Sequence, residues 1–361
     1  MKWIKQLDQL KAYQPGKTID EVKKEYGLES IIKLASNENP YGYSNKVDEL
    51  LQNTLFQHML YPDGAATELR HAVAEHFGIE PENFIFGNGS DEIIQIISNA
   101  LIEPGTNTVM PVPSFSQYKH NCFLQGGESR EIPLINGEHD LNGMLEAIDE
   151  NTSIVWICNP NNPSGRYIPK DKLFSFLEKV PSHVLVVIDQ AYHEYVTAPD
   201  YPDSISLFKA FDNVMLLRTF SKIYGLAGFR VGYGIANKDI IEKMDPVREP
   251  FNVNALGQIA AKAALADQEF IETCKVKNDR EKNRYYEFCE ENGISYYPTE
   301  GNFILIDINE DSQAAFDYFL QNGVITRSGA ALGFPGWLRI TIGKPEENDK
   351  VFQLLKDRIK K

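Results

Sequence analysis

At 361 residues, with 42% hydrophobic and 24% charged side chains, the chain has an ordinary globular composition and is long enough for one large domain and a smaller one. Its net charge of -15 argues against nucleic acid and anionic membrane surfaces as partners. The N-terminal stretch has no apolar signal core, no uncharged apolar run reaches ~18 residues, and the cysteines Cys122, Cys158, Cys274 and Cys289 share no metal-ligand spacing, so a cytoplasmic protein with reduced thiols is expected.

Residues 1–35 read as an arm. Tyr13-Gln14-Pro15-Gly16 is a turn, and Thr18 with Glu21 forms a capping box for a short helix that carries Ile19, Val22 and Tyr26 and stops at Gly27. Leu34-Ala35-Ser36-Asn37-Glu38-Asn39-Pro40 then runs extended into turn residues. After the turn Tyr61-Pro62-Asp63-Gly64, the spacing of Leu69, Val73 and Phe77 predicts a helix.

Phe84-Ile85-Phe86 is a short strand that leads into Gly87-Asn88-Gly89-Ser90-Asp91, with the apolar helix face of Ile93, Ile94 and Ile97 behind it. Glycines followed by a Ser cap and a helix aim free N–H groups at an anion, or else form a well-capped βα turn. Tyr118 lies just past the strand that begins at Thr108, where it either stacks on a flat ligand or fills the core. Ser153 to Cys158 is another strand, closed by Asn159-Pro160-Asn161-Asn162-Pro163-Ser164-Gly165, a rigid loop presenting asparagine amides.

Val184 to Ile188 reads as a buried parallel strand with Asp189 at its mouth, and an acid there needs a cationic partner or a helix N-terminus. The run Val214 to Leu217 precedes Thr219-Phe220-Ser221-Lys222, and Gly228-Phe229-Arg230-Val231-Gly232 follows. A lysine just past a strand end is suited to Schiff-base chemistry, and two hydroxyls with a guanidinium suit a phosphate. Together they point to pyridoxal phosphate. Strands near 84, 108, 154, 185, 215 and 231 alternate with helices, which predicts a mostly parallel sheet covered on both faces, with Asn162, Asp189 and Lys222 in one crevice.

A long, increasingly charged helix is expected over about 255–292, joining a large domain (36–270) to a small α+β domain (271–361). In the latter, Phe303 to Ile306, Gly323 to Arg327 and Leu338 to Gly343 read as strands, and Val351, Leu354 and Leu355 mark a last helix. Arg327 and Arg339 lie in or at the ends of two of these strands.

Taken in order, Asn37-Glu38-Asn39-Pro40, Tyr61-Pro62-Asp63, Asn159 to Gly165, Asp189-Gln190-Ala191-Tyr192, Thr219 to Lys222 with Gly228 to Gly232, and Arg339 to Gly343 resemble the fold-type I pyridoxal-phosphate aminotransferases, most closely those acting on histidinol phosphate. The resemblance implies that Lys222 carries the cofactor as an aldimine and moves the proton, and that Asp189 pairs with the ring nitrogen. It implies that Asn162 and Tyr192 bond the ring's phenolic oxygen and that Tyr118 stacks on the ring. Ser90, Asp91, Thr219, Ser221, Arg230 and Tyr61 of a second subunit would hold the phosphate, which makes a homodimer necessary. Tyr13, Asn39, Arg327 and Arg339 would line the substrate pocket, for L-histidinol phosphate in one half-reaction and glutamate in the other. Gln190 stands where the family often has glutamate, and Ser164 where it often has threonine. An aromatic-amino-acid aminotransferase and an amino-acid-phosphate decarboxylase are the alternatives within the fold. A non-catalytic regulatory protein is disfavoured, since no basic helix-turn-helix is legible.

Overall fold

The computed structural model describes residues 1–3, 5–8, 16–54 and 59–359. Near the N-terminus, the helix Ile19–Tyr26 has the reciprocal cap expected of it, with the Thr18 hydroxyl on the Glu21 N–H, Glu21 on the Thr18 N–H, and left-handed Gly27 ending the helix. The chain then forms β1 (Ile32–Lys33), which pairs in parallel with β11 (Val324–Ile325) from the far end of the sequence.

Seven strands build the large sheet: β2 (Phe84–Gly87), β3 (Asn107–Val112), β4 (Glu128–Pro133), β5 (Thr152–Cys158), β6 (Leu185–Asp189), β7 (Val214–Thr219) and β8 (Gly232–Ile235). Their order is β2-β8-β7-β6-β5-β3-β4, and only β8 runs against its neighbours. Every residue of β6 and β7 is buried, which explains their unbroken apolar runs: a parallel strand covered on both faces has no polar side to show. The edge strand β4 was not expected from the sequence. Its residues Glu128, Ser129, Arg130 and Glu131 lie at the rim, where neither face is fully covered, so no apolar pattern marks it.

Register sets where the strands end. Cys158 pairs with Asp189, and Asp189 with Leu217, so β5, β6 and β7 finish almost flush. Beyond them Thr219 pairs with Gly232 and Gly232 with Gly87, so the return loop 220–231 and the start of the helix Gly89–Leu101 meet on the same rim.

The single helix expected over 255–292 is two, Ala255–Leu265 and Gln268–Asn292. Asp267 causes the break by accepting the Phe270 N–H as an N-cap, which favours starting a new helix over continuing the old one. The second helix spans both cores: Ile271 and Cys274 pack in the large domain, and Tyr285, Phe288 and Cys289 in the small one.

The small domain holds the antiparallel sheet β12-β13-β10-β9, from β9 (Tyr296–Tyr297), β10 (Phe303–Asp307), β12 (Arg327–Ser328) and β13 (Trp337–Thr341). The segment Gly323 to Arg327, read as one strand, divides between β11 and β12 and so serves two sheets. Leu34 of the arm lies in this domain's core, and its carbonyl accepts the Thr341 N–H at 2.9 Å.

Gly225 shows how closely the segment after the arm approaches the loop 220–231. It is left-handed (φ 72°), and a Cβ there would stand 1.9 Å from the Gly42 carbonyl oxygen. Gly225→Ala should therefore cost roughly 2 kcal/mol or more in denaturant unfolding. An unchanged unfolding midpoint would show that the two loops do not touch.

Candidate active site

Asp189 ends β6 at 3% exposure, its Oδ2 accepting the Tyr118 hydroxyl at 2.8 Å and its Oδ1 the Ala191 N–H at 3.1 Å. Burial pushes its carboxyl up to about 6, against the Tyr118 hydrogen bond, which pulls it back toward ionisation. Tyr118 itself is 1% exposed and stacked on Trp156 with 4.9 Å between ring centroids. That geometry replaces the expectation of ring stacking: one face of Tyr118 is already taken and its hydroxyl serves Asp189. Phe115, half-buried and edge-on to Tyr118, is the accessible ring here, and the sequence reading passed over it. Its only signal was its place after the turn Pro113-Ser114.

Lys222 sits three residues past the end of β7, its Nζ donating to the Ser36 carbonyl at 3.1 Å and lying 5.7 Å from the Tyr192 ring centre. Burial lowers its ammonium to about 8, and the charges of Arg339 and Arg230 push the same way while Asp91 and Glu38 oppose them. Desolvation and like charge thus bring loss of the lysine's proton closer to neutral pH.

Three consecutive residues where the arm enters the large domain fix three site residues. The Ala35 carbonyl takes Arg339 Nη2 at 2.6 Å, the Ser36 carbonyl takes Lys222, and Asn37 donates to the Tyr192 hydroxyl at 2.9 Å. Asn37, not Asn39, is therefore the asparagine at the site. The Asn39 amide is committed to the Ile223 carbonyl at 2.6 Å and the Cys274 sulfur at 3.4 Å. Left-handed Asn37 (φ 57°) breaks the extended alternation, so spacing along the motif does not tell which asparagine faces inward.

The anion cradle lies beside them. Helix Gly89–Leu101 starts without a side-chain cap, so Ser90 sits in its first turn rather than capping it, and the first-turn N–H groups stay available. Arg230, held left-handed at φ 56°, donates to Ser221 Oγ at 3.3 Å, the Asn88 carbonyl at 3.2 Å and Asp91 at 3.3 Å. Thr219 Oγ1 accepts the Ser221 N–H at 3.1 Å. Two glycines permit this crowding: a Cβ on Gly89 would stand 2.5 Å from Arg230 Nη2, and one on Gly232 2.4 Å from the Ser90 nitrogen. A helix N-terminus, two hydroxyls and a guanidinium next to a half-buried amine and a buried carboxylate fit a ring that bears an aldehyde, a phosphate and a basic nitrogen.

Arg327 and Arg339 are directly opposed across β12 and β13. Arg339 bonds Asn162 Oδ1 at 2.6 Å; among the described residues no side-chain hydrogen bond or ion pair engages the Arg327 guanidinium. Two cations side by side repel, an arrangement that favours an anion bound between them. Tyr61 is 81% exposed and stacked on Phe251. Tyr13 lies outside the described residues.

A lysine whose folded pKa of about 8 is below the ordinary 10.5 binds its proton less tightly folded than unfolded. Its charge therefore opposes folding fully below pH 8, and the penalty fades as pH rises toward 10.5. Cofactor-free Lys222→Met should be more thermostable than the parent at pH 7, with the gap closing by pH 10. A gap that is constant with pH would mean that the amine is fully hydrated.

The profile of the family "Aminotransferase class I and II" matches residues 29–355. The chain is 55% identical to histidinol-phosphate aminotransferase of Geobacillus sp. (strain WCH70), over 98% of this chain and 97% of that one. It is also 55% identical to the Bacillus licheniformis enzyme of that name, over 97% of each chain. Among solved structures, histidinol-phosphate aminotransferase from Sinorhizobium meliloti in complex with pyridoxal-5'-phosphate superposes with a TM-score of 0.90 at 27% identity, covering 99% of this chain and 97% of that one. L-threonine-O-3-phosphate decarboxylase from Porphyromonas gingivalis, at 24% identity and TM-score 0.82 over 92% of this chain and 100% of that one, shares the fold. By full-length likeness, the chain belongs to the class I and II aminotransferases and groups with the histidinol-phosphate aminotransferases among them.

Proposed function

We propose that the protein interconverts L-histidinol phosphate and 2-oxoglutarate with imidazole-acetol phosphate and L-glutamate, on pyridoxal phosphate, in histidine biosynthesis. The observation that carries this reading is the cross-strand pair Arg327 and Arg339 beside an amine of lowered pKa. Bidentate guanidinium contacts suit both the phosphate of one substrate and the carboxylates of the other.

Pyridoxal phosphate, when bound, supplies the carbonyl that takes up the amino group and the conjugated ring that accepts the electrons left at the substrate's Cα. Lys222 is the anchor and, with its amine close to neutral, the group that removes and returns the proton at Cα. Asp189 would hold a proton on the ring nitrogen, and Tyr118 supports it by keeping the carboxylate ionised. Asn162 and Tyr192 would face the phenolic oxygen, and Phe115 would cover the ring. Ser90, Asp91, Thr219, Ser221 and Arg230 would hold the phosphate through the cradle formed at Gly89 and Gly232.

A second copy of the chain would complete the site. Met59 (82% exposed), Leu60 (62%), Tyr61 (81%) and Phe251 (45%) leave an apolar surface next to the turn that carries Tyr61, as a homodimer interface requires. Tyr61 would then reach the partner's phosphate. No helix among the described residues is long and apolar enough to cross a membrane, which is compatible with the proposed cytoplasmic location.

The test is the visible absorbance of the cofactor-loaded protein, titrated with L-histidinol phosphate and then L-phenylalanine in the absence of an oxo acid. Bleaching at much lower histidinol phosphate supports the reading; equal or better bleaching by phenylalanine makes the protein a general aromatic aminotransferase. Arg327→Gln should lower kcat/KM for L-histidinol phosphate by about tenfold or more, the worth of one charge-assisted hydrogen bond, and leave phenylalanine nearly untouched. An equal loss for both substrates would remove Arg327 from phosphate recognition.

A further inference from the structure

Tyr192 is 3% exposed, and its hydroxyl oxygen accepts a hydrogen bond from Asn37 Nδ2 at 2.9 Å. The two ends of an asparagine amide are alike in shape, so its orientation must follow from its neighbours. Thr341 provides the reason. Its hydroxyl oxygen accepts the Asn37 backbone N–H at 3.0 Å, which leaves its own proton to donate, and Asn37 Oδ1 lies 3.0 Å away to receive it. With Oδ1 facing Thr341, the NH2 end faces Tyr192. The tyrosine oxygen takes that proton, and its own O–H has no acceptor among the described residues.

We propose that Asn37 is a positioning residue that makes Tyr192 a one-way hydrogen-bond donor, aimed at the phenolic oxygen of the cofactor; this rests on the pyridoxal phosphate reading above. If the amide were reversed, its oxygen would accept the tyrosine proton and the cofactor would lose the donor. Several observations show that the amide is held in place on purpose. Asn37 is 1% exposed in a left-handed conformation, and its carbonyl is gripped by Asn302 Nδ2 at 3.0 Å. Thr341 stands two residues beyond Arg339 on β13, on the same face of the strand, and Arg339 grips the Ala35 carbonyl. One strand therefore fixes both the guanidinium that would meet substrate and the amide that orients Tyr192.

A donor on the phenolic oxygen draws its negative charge away from the protonated nitrogen linking Lys222 to the cofactor, so losing the donor raises that nitrogen's pKa. The measurement is the pH midpoint of the visible absorbance change of the cofactor-loaded protein. Asn37→Gly keeps the left-handed backbone accessible and should raise the midpoint by roughly half a unit to one unit. Thr341→Val, which frees the amide to turn, should move it in the same direction. In a Tyr192→Phe background, Asn37→Gly should move it no further, because its effect passes through that hydroxyl. A purely structural role for Asn37 would lower thermal stability and leave the midpoint in place, and that result overturns the inference. So does a shift of equal size with and without the Tyr192 hydroxyl. A parent chain that gains no visible band with pyridoxal phosphate overturns the cofactor reading and this inference with it, whereas a normal band with an unmoved midpoint overturns the inference alone.

Discussion

Two ionisable groups meet on the rim of one sheet, the buried Asp189 and the half-buried Lys222, and each is shifted from its ordinary value by burial first. Removing such groups from water costs several kcal/mol unless the surroundings compensate. The compensation here is partial. Among the described residues Asp189 has two hydrogen bonds and Lys222 one, and the shifts that remain mean that burial still disfavours the charged form of each. A ligand with a positive nitrogen for the acid and a carbonyl carbon for the amine relieves both at once. Reactivity and affinity for such a ligand therefore share one physical origin.

The surrounding architecture serves to keep that rim crowded. Flush strand ends bring Cys158, Asp189 and Leu217 into one row, and reversal of β8 folds the loop carrying Lys222 and Arg230 back onto the start of the helix Gly89–Leu101. Glycines at 225 and 232 allow backbone to approach backbone where any Cβ would collide, and Gly89 leaves room for the Arg230 guanidinium. Over the top lies the segment that joins the arm to the large domain. Its residues Ala35, Ser36 and Asn37 reach in turn a strand of the small domain, the loop of the large domain and Tyr192, so that movement of either domain would be felt at the amine.

Much of this was legible because the signals are local. The apolar runs of β6 and β7, the capping box at Thr18 and Glu21, and the acid and lysine past strand ends all follow from neighbouring residues in the chain. The edge strand β4 was not legible, since its polar surface carries no pattern of burial. Nor was the break at Asp267, where one capping contact outweighs a continuous helical pattern. At the site, Asn37 and Phe115 were passed over for Asn39 and Tyr118. In both cases the residue types were right and the side-chain direction was wrong, because a left-handed residue in one segment and a stack on Trp156 in the other redirect what spacing suggests.

The sequence by itself determined the α/β class, the order of the strands along the chain, and the chemical kinds gathered past their ends: a lysine, an acid, hydroxyls, amides and arginines. These depend on period, turn chemistry and residue type, which short windows carry. Only the tertiary structure decided which side chains face one another. Arg327 meets Arg339, Thr341 meets Asn37 and Asn37 meets Tyr192 through pairings between segments separated by between twelve and three hundred and four residues. Register, and the direction of each side chain at these crossings, is fixed by packing across the whole fold rather than by any stretch of it.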